Sequence, residues 1–179
     1  MKKNFYKTFL IEHLPSNMVA NYPMSQENPK ISVLVGSPND LELLKGLKKI
    51  LEEFDIAAEY KALSAHRVPD LTIDYVHKAD RNGTQVFIAG AGMAAHLAGT
   101  VAAHTTKPVI GVPIKGPNLD GMDALLSTVQ MPKGIPVATV AINSFENAAY
   151  LAIEILALND VGLQKKLESY RKKLREPYL

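Results

Sequence analysis

From residue 31 onward, short apolar runs alternate with longer segments in which apolar residues recur every three or four positions. The runs "ISVLVG" (31–36), "IAAEYKAL" (56–63), "TQVFIAG" (84–90), "KPVIGVP" (107–113) and "IPVATVAI" (135–142) read as strands. Between and after them, "LELLKGLKKILEEF" carries Leu43, Leu44, Leu47, Ile50, Leu51 and Phe54 at helical spacing, and "PDLTIDYVHKAD" carries Leu71, Tyr75 and Lys78 along one side. "MAAHLAGTVAAHT", "DGMDALLSTVQ" and "ENAAYLAIEILAL" continue the helical series. Strands that are nearly continuous apolar runs, alternating with helices, predict a parallel sheet covered on both faces. The expected fold is therefore α/β, a three-layer α/β/α sandwich with a parallel, flavodoxin-like five-stranded sheet. Ligands of such sheets bind beyond the carboxyl ends of the strands, which directs attention to the turns at 36–40, 63–70, 90–99 and 113–121.

Two flanking segments break the alternation. Residues 1–29 lack a clean period and end in the turn-rich "PMSQENPK", so they read as an N-terminal extension to a catalytic domain spanning 30–158. Residues 159–179 form a last helix in which Leu163, Leu167, Tyr170 and Leu174 make an apolar stripe. That stripe packs either on its own domain or on a neighbouring subunit.

Composition narrows the partners. With 47% hydrophobic and 21% charged residues in 179, the chain has the balance of a soluble globular protein. Its net charge of +2 comes from the ends, Lys2, Lys3 and Lys7 and "LQKKLESYRKKLRE", so no nucleic-acid partner is expected. The absence of cysteine excludes disulfides, thiolate chemistry and Cys-zinc sites. No apolar stretch is long enough to span a membrane, and Lys7 and Glu12 interrupt the one signal-like run, so a cytoplasmic location is expected.

The turns carry the candidate chemistry. In "VGSPNDLELL", Ser37 followed by Pro38 and Asp40 is a helix N-cap pattern. The same exposed amides and hydroxyl suit a phosphate, with Asp40 accepting from sugar hydroxyls, and the two readings are compatible. "GAGMAA" (Gly90, Gly92, Ala95) fits a dinucleotide fingerprint, yet no acidic residue follows in "VIGVPIKG" where one would meet a ribose. Small residues there let the backbone approach a small planar ligand. His13, His77 and His104 read as surface or helix-face residues, and no His or carboxylate spacing suits a metal. His66 differs, standing in "SAHR" between Ser64 and Arg67 on the expected ligand edge. An imidazole, with an ordinary pKa of about 6.5, can give and take protons at neutral pH. A guanidinium is a permanent cation for phosphate. From this turn alone a solvated histidine remains an equal alternative.

Taken in order, "GSPND", "SAHRVPD", "AGAGMAAHLAG", "GVPI", "DALLSTVQMPKGIPVATVAI" and "NAAYLA" resemble the PurE family across residues 31–175. "SAHR" and "AAHLAG" are similar to class I, the N5-carboxyaminoimidazole ribonucleotide mutases of purine synthesis; class II, the carboxylases using free carbon dioxide, usually has lysine after that histidine. Asn39 stands where the family usually has serine, Ala98 where it has proline, and "AINSFENAAY" is nearer class II in length. The resemblance implies His66 as general acid and base, without metal or cofactor. It also implies contacts to a small-molecule ribonucleotide from Ser37, Asp40, Ser64, Arg67 and Gly92, and a closed, water-excluding carbon dioxide pocket around Ala94, Ala95, His96 and Leu97. It further implies a homo-octamer joined in part by the C-terminal helix. The alternatives that stay open are a class II carboxylase and a non-catalytic nucleotide-binding module.

Overall fold

The computed structural model describes residues 28–179, so the expectations for residues 1–27, including His13, lie outside the described residues. The order of elements is β1 (Ile31–Val35), a 3₁₀ segment (Pro38–Leu44), α1 (Lys45–Glu53), β2 (Ala58–Ala62) and α2 (Pro69–Arg81). Then come β3 (Val86–Gly92), α3 (Leu97–Ala103), β4 (Val109–Ile114), α4 (Met122–Val129), β5 (Ala138–Thr139), α5 (Phe145–Ala157) and α6 (Val161–Arg175). The five strands pair in parallel in the order β2-β1-β3-β4-β5, the flavodoxin-like arrangement expected. No helix among the described residues is long and apolar enough to cross a membrane.

Strand side chains alternate between the two sheet faces, and each face has its own core. Ile31, Val33 and Val35 of β1 join Val86 and Ile88 of β3 and Ile110 and Val112 of β4 under α1, α5 and α6. Leu34, Phe87 and Ala89 point the other way, against Val76 and Ala79 of α2 and Leu97, Ala98 and Val101 of α3. Ser32, fully buried on that second face, is satisfied by the Thr84 hydroxyl at 2.8 Å. The inner strands are buried on both faces, whereas β2 is half-buried along an edge and β5 shrinks to two residues.

Three local expectations are corrected. The first helical segment is not one helix. Ser37 and Pro38 open a 3₁₀ stretch, α1 starts at Lys45, and Leu43 is left exposed. On α2 the buried residues are Thr72, Val76 and Ala79, while Leu71 and Lys78 face outward and Tyr75 is half-buried. That is a rotation of about 100°, one residue along the helix. It puts small and β-branched side chains against the sheet and spares a lysine from burial, with Thr72 Oγ1 donating to the Val68 carbonyl at 3.0 Å. α3 begins only at Leu97, leaving 93–96 as a turn.

The C-terminal stripe packs on its own domain. Leu163 and Leu167 are buried, and Tyr170 stacks on Tyr150 at 4.7 Å between ring centroids, with Phe54 edge-on to both. Asp160 caps α6 by accepting from the Leu163 N–H at 3.0 Å. Leu174 remains exposed.

Candidate active site

All four turns converge on one cleft of about 480 Å³ at the carboxyl edge of the sheet. Its walls come from Gly36, Ser37 and Asp40 after β1, residues 64–67 after β2, residues at 91–97 around the end of β3, and residues 114–117 after β4. Three of the four described non-glycine residues with positive φ stand at this edge, the fourth being Asp55 ahead of β2. Met93, Asp120 and Asn143, in the segments after β3, β4 and β5, hold positive φ values of 55°, 52° and 58°. Non-glycine residues adopt that region at a cost that the surrounding structure must offset.

Each turn is built by local bonds. Ser37 is the N-cap of the 3₁₀ segment, its Oγ accepting from the Asn39 N–H at 3.3 Å, and the Asp40 N–H donates to the Ser37 carbonyl at 3.0 Å. Partial burial raises the Asp40 carboxyl above its ordinary pKa, a hydrogen bond from the Ser37 backbone opposing the shift. In the next turn, Ser64 Oγ accepts from the Arg67 N–H at 3.2 Å and the Ser64 carbonyl from Val68 N–H at 3.0 Å, which lifts His66 onto the crest. Arg67 forms no ion pair with any described carboxylate.

His66 Nε2 and His96 Nδ1 are 2.6 Å apart, with the rings perpendicular at 87° and centroids 4.8 Å apart. His66 follows β2 and His96 follows β3, so the imidazoles meet across the end of β1, the strand between them. One proton serves the two facing nitrogens: one imidazole donates and the other accepts. His66 Nδ1 has no hydrogen-bond partner among the described residues.

Ser37, Asp40, Ser64, His66, Arg67, Gly92, Ala94, His96 and Leu97 all line the cleft. Ala95 does not, being 2% exposed and turned into the fold. The expected closed pocket around 94–97 is open in this chain, because Ala94 and His96 are exposed while only Ala95 and Leu97 are buried. The glycines also divide. A Cβ on Gly90 would fall 2.5 Å from Phe145 Cζ, so Gly90 admits α5 to the sheet rather than a ligand to the backbone; Gly92 reaches the cleft.

Lys115 is a lining residue the sequence reading did not single out; its Nζ lies 2.9 Å from Asp120 Oδ1. Its only signal was position, in a Gly- and Pro-rich turn on the ligand edge. Among the described residues no group of three or more His, Asp or Glu side chains is placed to hold a metal. A second cleft, between α5 and α6, is lined by Tyr150, Tyr170 and Leu174, and its Glu154 is already paired with Arg171.

Residues 30–177 match the family model described as AIR carboxylase. The chain belongs to this family, PurE. It is 50% identical over 147 residues to the N5-carboxyaminoimidazole ribonucleotide mutase of Pyrococcus abyssi, covering 82% of this chain and 84% of that one. Against the protein of the same name from Methanocaldococcus jannaschii it is 52% identical over 146 residues, 82% and 90% of the two chains. The phosphoribosylaminoimidazole carboxylase of Schizosaccharomyces pombe is 49% identical over 84% of this chain, which corresponds to 27% of that longer protein. Among solved structures, Treponema denticola PurE superposes with a TM-score of 0.77 at 25% identity, over 84% of this chain and 94% of that one.

Proposed function

We propose that this PurE-family chain is an N5-carboxyaminoimidazole ribonucleotide mutase, an isomerase that moves a carboxylate from the exocyclic amine to the ring carbon of an aminoimidazole ribonucleotide. The observation that carries this reading is the His66–His96 pair at the meeting of four turns, in a chain about half identical to named mutases.

The chemistry needs one proton carrier. His66 gives a proton to the amine nitrogen as the N–CO₂ bond breaks, releasing carbon dioxide and a neutral amine. The electron-rich ring carbon then attacks carbon dioxide, forming the C–C bond, and His66, now a base, removes the proton from that carbon. Acid and base are the same side chain, so proton and charge balance is restored each turnover. The bond to His96 fixes the ring while leaving His66 Nδ1 free for the substrate.

The remaining residues bind. Ser37 and Arg67 take the phosphate, Asp40 the ribose hydroxyls, and Ser64 supports Arg67 through its backbone N–H. Gly92, Ala94, His96 and Leu97 bound the space in which carbon dioxide waits, with the buried Ala95 packed behind them. Because the cleft is open in one chain, closure is supplied by self-association, which we take to be a homo-octamer in the cytoplasm. The exposed α4 stripe Met122, Leu126 and Val129, beside Leu119, supports a self-associating surface.

The test supplies N5-carboxyaminoimidazole ribonucleotide at low bicarbonate, and separately aminoimidazole ribonucleotide with and without bicarbonate. Rapid conversion of the first without bicarbonate is the expected result. Rapid bicarbonate-dependent carboxylation of the second would make the chain a class II carboxylase, and turnover of neither would leave a nucleotide-binding module.

A further inference from the structure

The cleft is lined by two basic side chains, Arg67 and Lys115, and one carboxylate, Asp40. On the mutase reading, the substrate also carries two anionic groups, a phosphate on the ribose and a carboxylate on the base. Arg67 follows β2 and Lys115 follows β4, with β1 and β3 between them. At strand spacing those positions stand about 14 Å apart. The His66–His96 pair spans the β1 end between them. A nucleotide held at Arg67 by its phosphate therefore runs its base past the imidazoles towards Lys115.

We propose that Lys115 binds the migrating carboxylate. This rests on the mutase reading and extends it to a residue which that reading leaves unused. The backbone of Lys115 is fixed: its N–H donates to Asn143 Oδ1 at 2.8 Å, and the Asn143 N–H donates to the Pro113 carbonyl at 2.8 Å. A Cβ on Gly121 would lie 3.1 Å from Lys115 Cα, so the turn closes tightly on it. The side chain is free to move by comparison. Its pair with Asp120 leaves the two side chains 57% and 82% exposed, and such exposed pairs hold weakly. Rotating into an occupied, desolvated cleft exchanges that contact for a stronger charge-assisted one. An ammonium on a flexible stem, with three rotatable donors, can follow a carboxylate from nitrogen to carbon, which a rigid guanidinium fork does less well.

Calorimetric titration of the full chain with two nucleotides tests this. One is the product, 4-carboxy-5-aminoimidazole ribonucleotide, and the other is aminoimidazole ribonucleotide, which lacks the carboxylate. Lys115→Gln is expected to weaken the carboxylated nucleotide by about tenfold or more while changing the other by less than about twofold. Lys115→Arg should keep most of the affinity for the carboxylated one. Equal weakening of both nucleotides, or no change in either, overturns the assignment; in the second case the mutase reading stands if wild type binds both. Failure of wild type to bind either nucleotide would remove the mutase reading and the Lys115 assignment together.

Discussion

Two histidine pairs stand among the described residues, and one of them lies in the cleft at the carboxyl edge of the sheet. His77 on α2 and His104 after α3 approach with ring centroids 5.9 Å apart, and His104 Nδ1 bonds the Thr100 carbonyl of its own helix at 2.8 Å. That ring is occupied in closing a helix end, and neither residue lines the cleft at the carboxyl edge. His66 and His96 come from turns rather than helices, meet nitrogen to nitrogen, and share a cleft with the Arg67 guanidinium, unpaired among the described residues, and a half-buried carboxylate. The residue type is the same in both pairs. What differs is the strand-end position, which leaves ring atoms unspent and places binding groups beside them.

The contrast can be broken most sharply at His66. His66→Asn should lower mutase turnover by about 10²–10⁴-fold with the far-ultraviolet circular dichroism unchanged; normal turnover in a folded variant would mean the proton carrier is elsewhere. Next in size, Arg67→Ala should weaken the phosphorylated substrate by about tenfold or more, without affecting the weak binding of its dephosphorylated nucleoside. A similar loss with both ligands would give Arg67 a structural role instead. The outer pair should be nearly silent: the double substitution His77→Ala, His104→Ala is expected to keep turnover within about twofold, since surface changes of this kind are small. A large fall in kcat there, at intact fold, would erase the distinction.

The smallest effect concerns Asp40. Burial raises its carboxyl above the ordinary 3.8, so between that value and its native one the folded chain holds more proton than the unfolded chain. Its contribution to stability therefore declines as pH rises through that window. Urea midpoints followed upward from about pH 3 should fall less, or rise more, for Asp40→Asn than for wild type. Parallel curves would show that the carboxyl is not desolvated.

Much of this could be read before any coordinates. The sheet was legible because buried parallel strands are apolar runs, and the helices because their apolar residues repeat at the helical period. The same period does not say which of two neighbouring faces turns inward, and α2 chose Thr72, Val76 and Ala79 over Leu71 and Lys78. The four turns were legible from the rule for parallel sheets, and their side chains do meet in one cleft. The His66–His96 contact was not, because it joins residues 30 apart in sequence across an intervening strand. Gly90 shows the opposite failure: a ligand-like glycine motif whose first member serves the packing of Phe145. Nothing in the sequence marks Lys115, because a lysine in a polar turn is ordinary until its neighbours in space are known.

The central claim is that the carboxylate is transferred within a cleft that keeps carbon dioxide from escaping. Conversion of unlabelled N5-carboxyaminoimidazole ribonucleotide in the presence of ¹³C-bicarbonate tests it directly. The account predicts a product carboxylate that is essentially unlabelled at early turnover. Label appearing in the product in proportion to the bicarbonate supplied would contradict it.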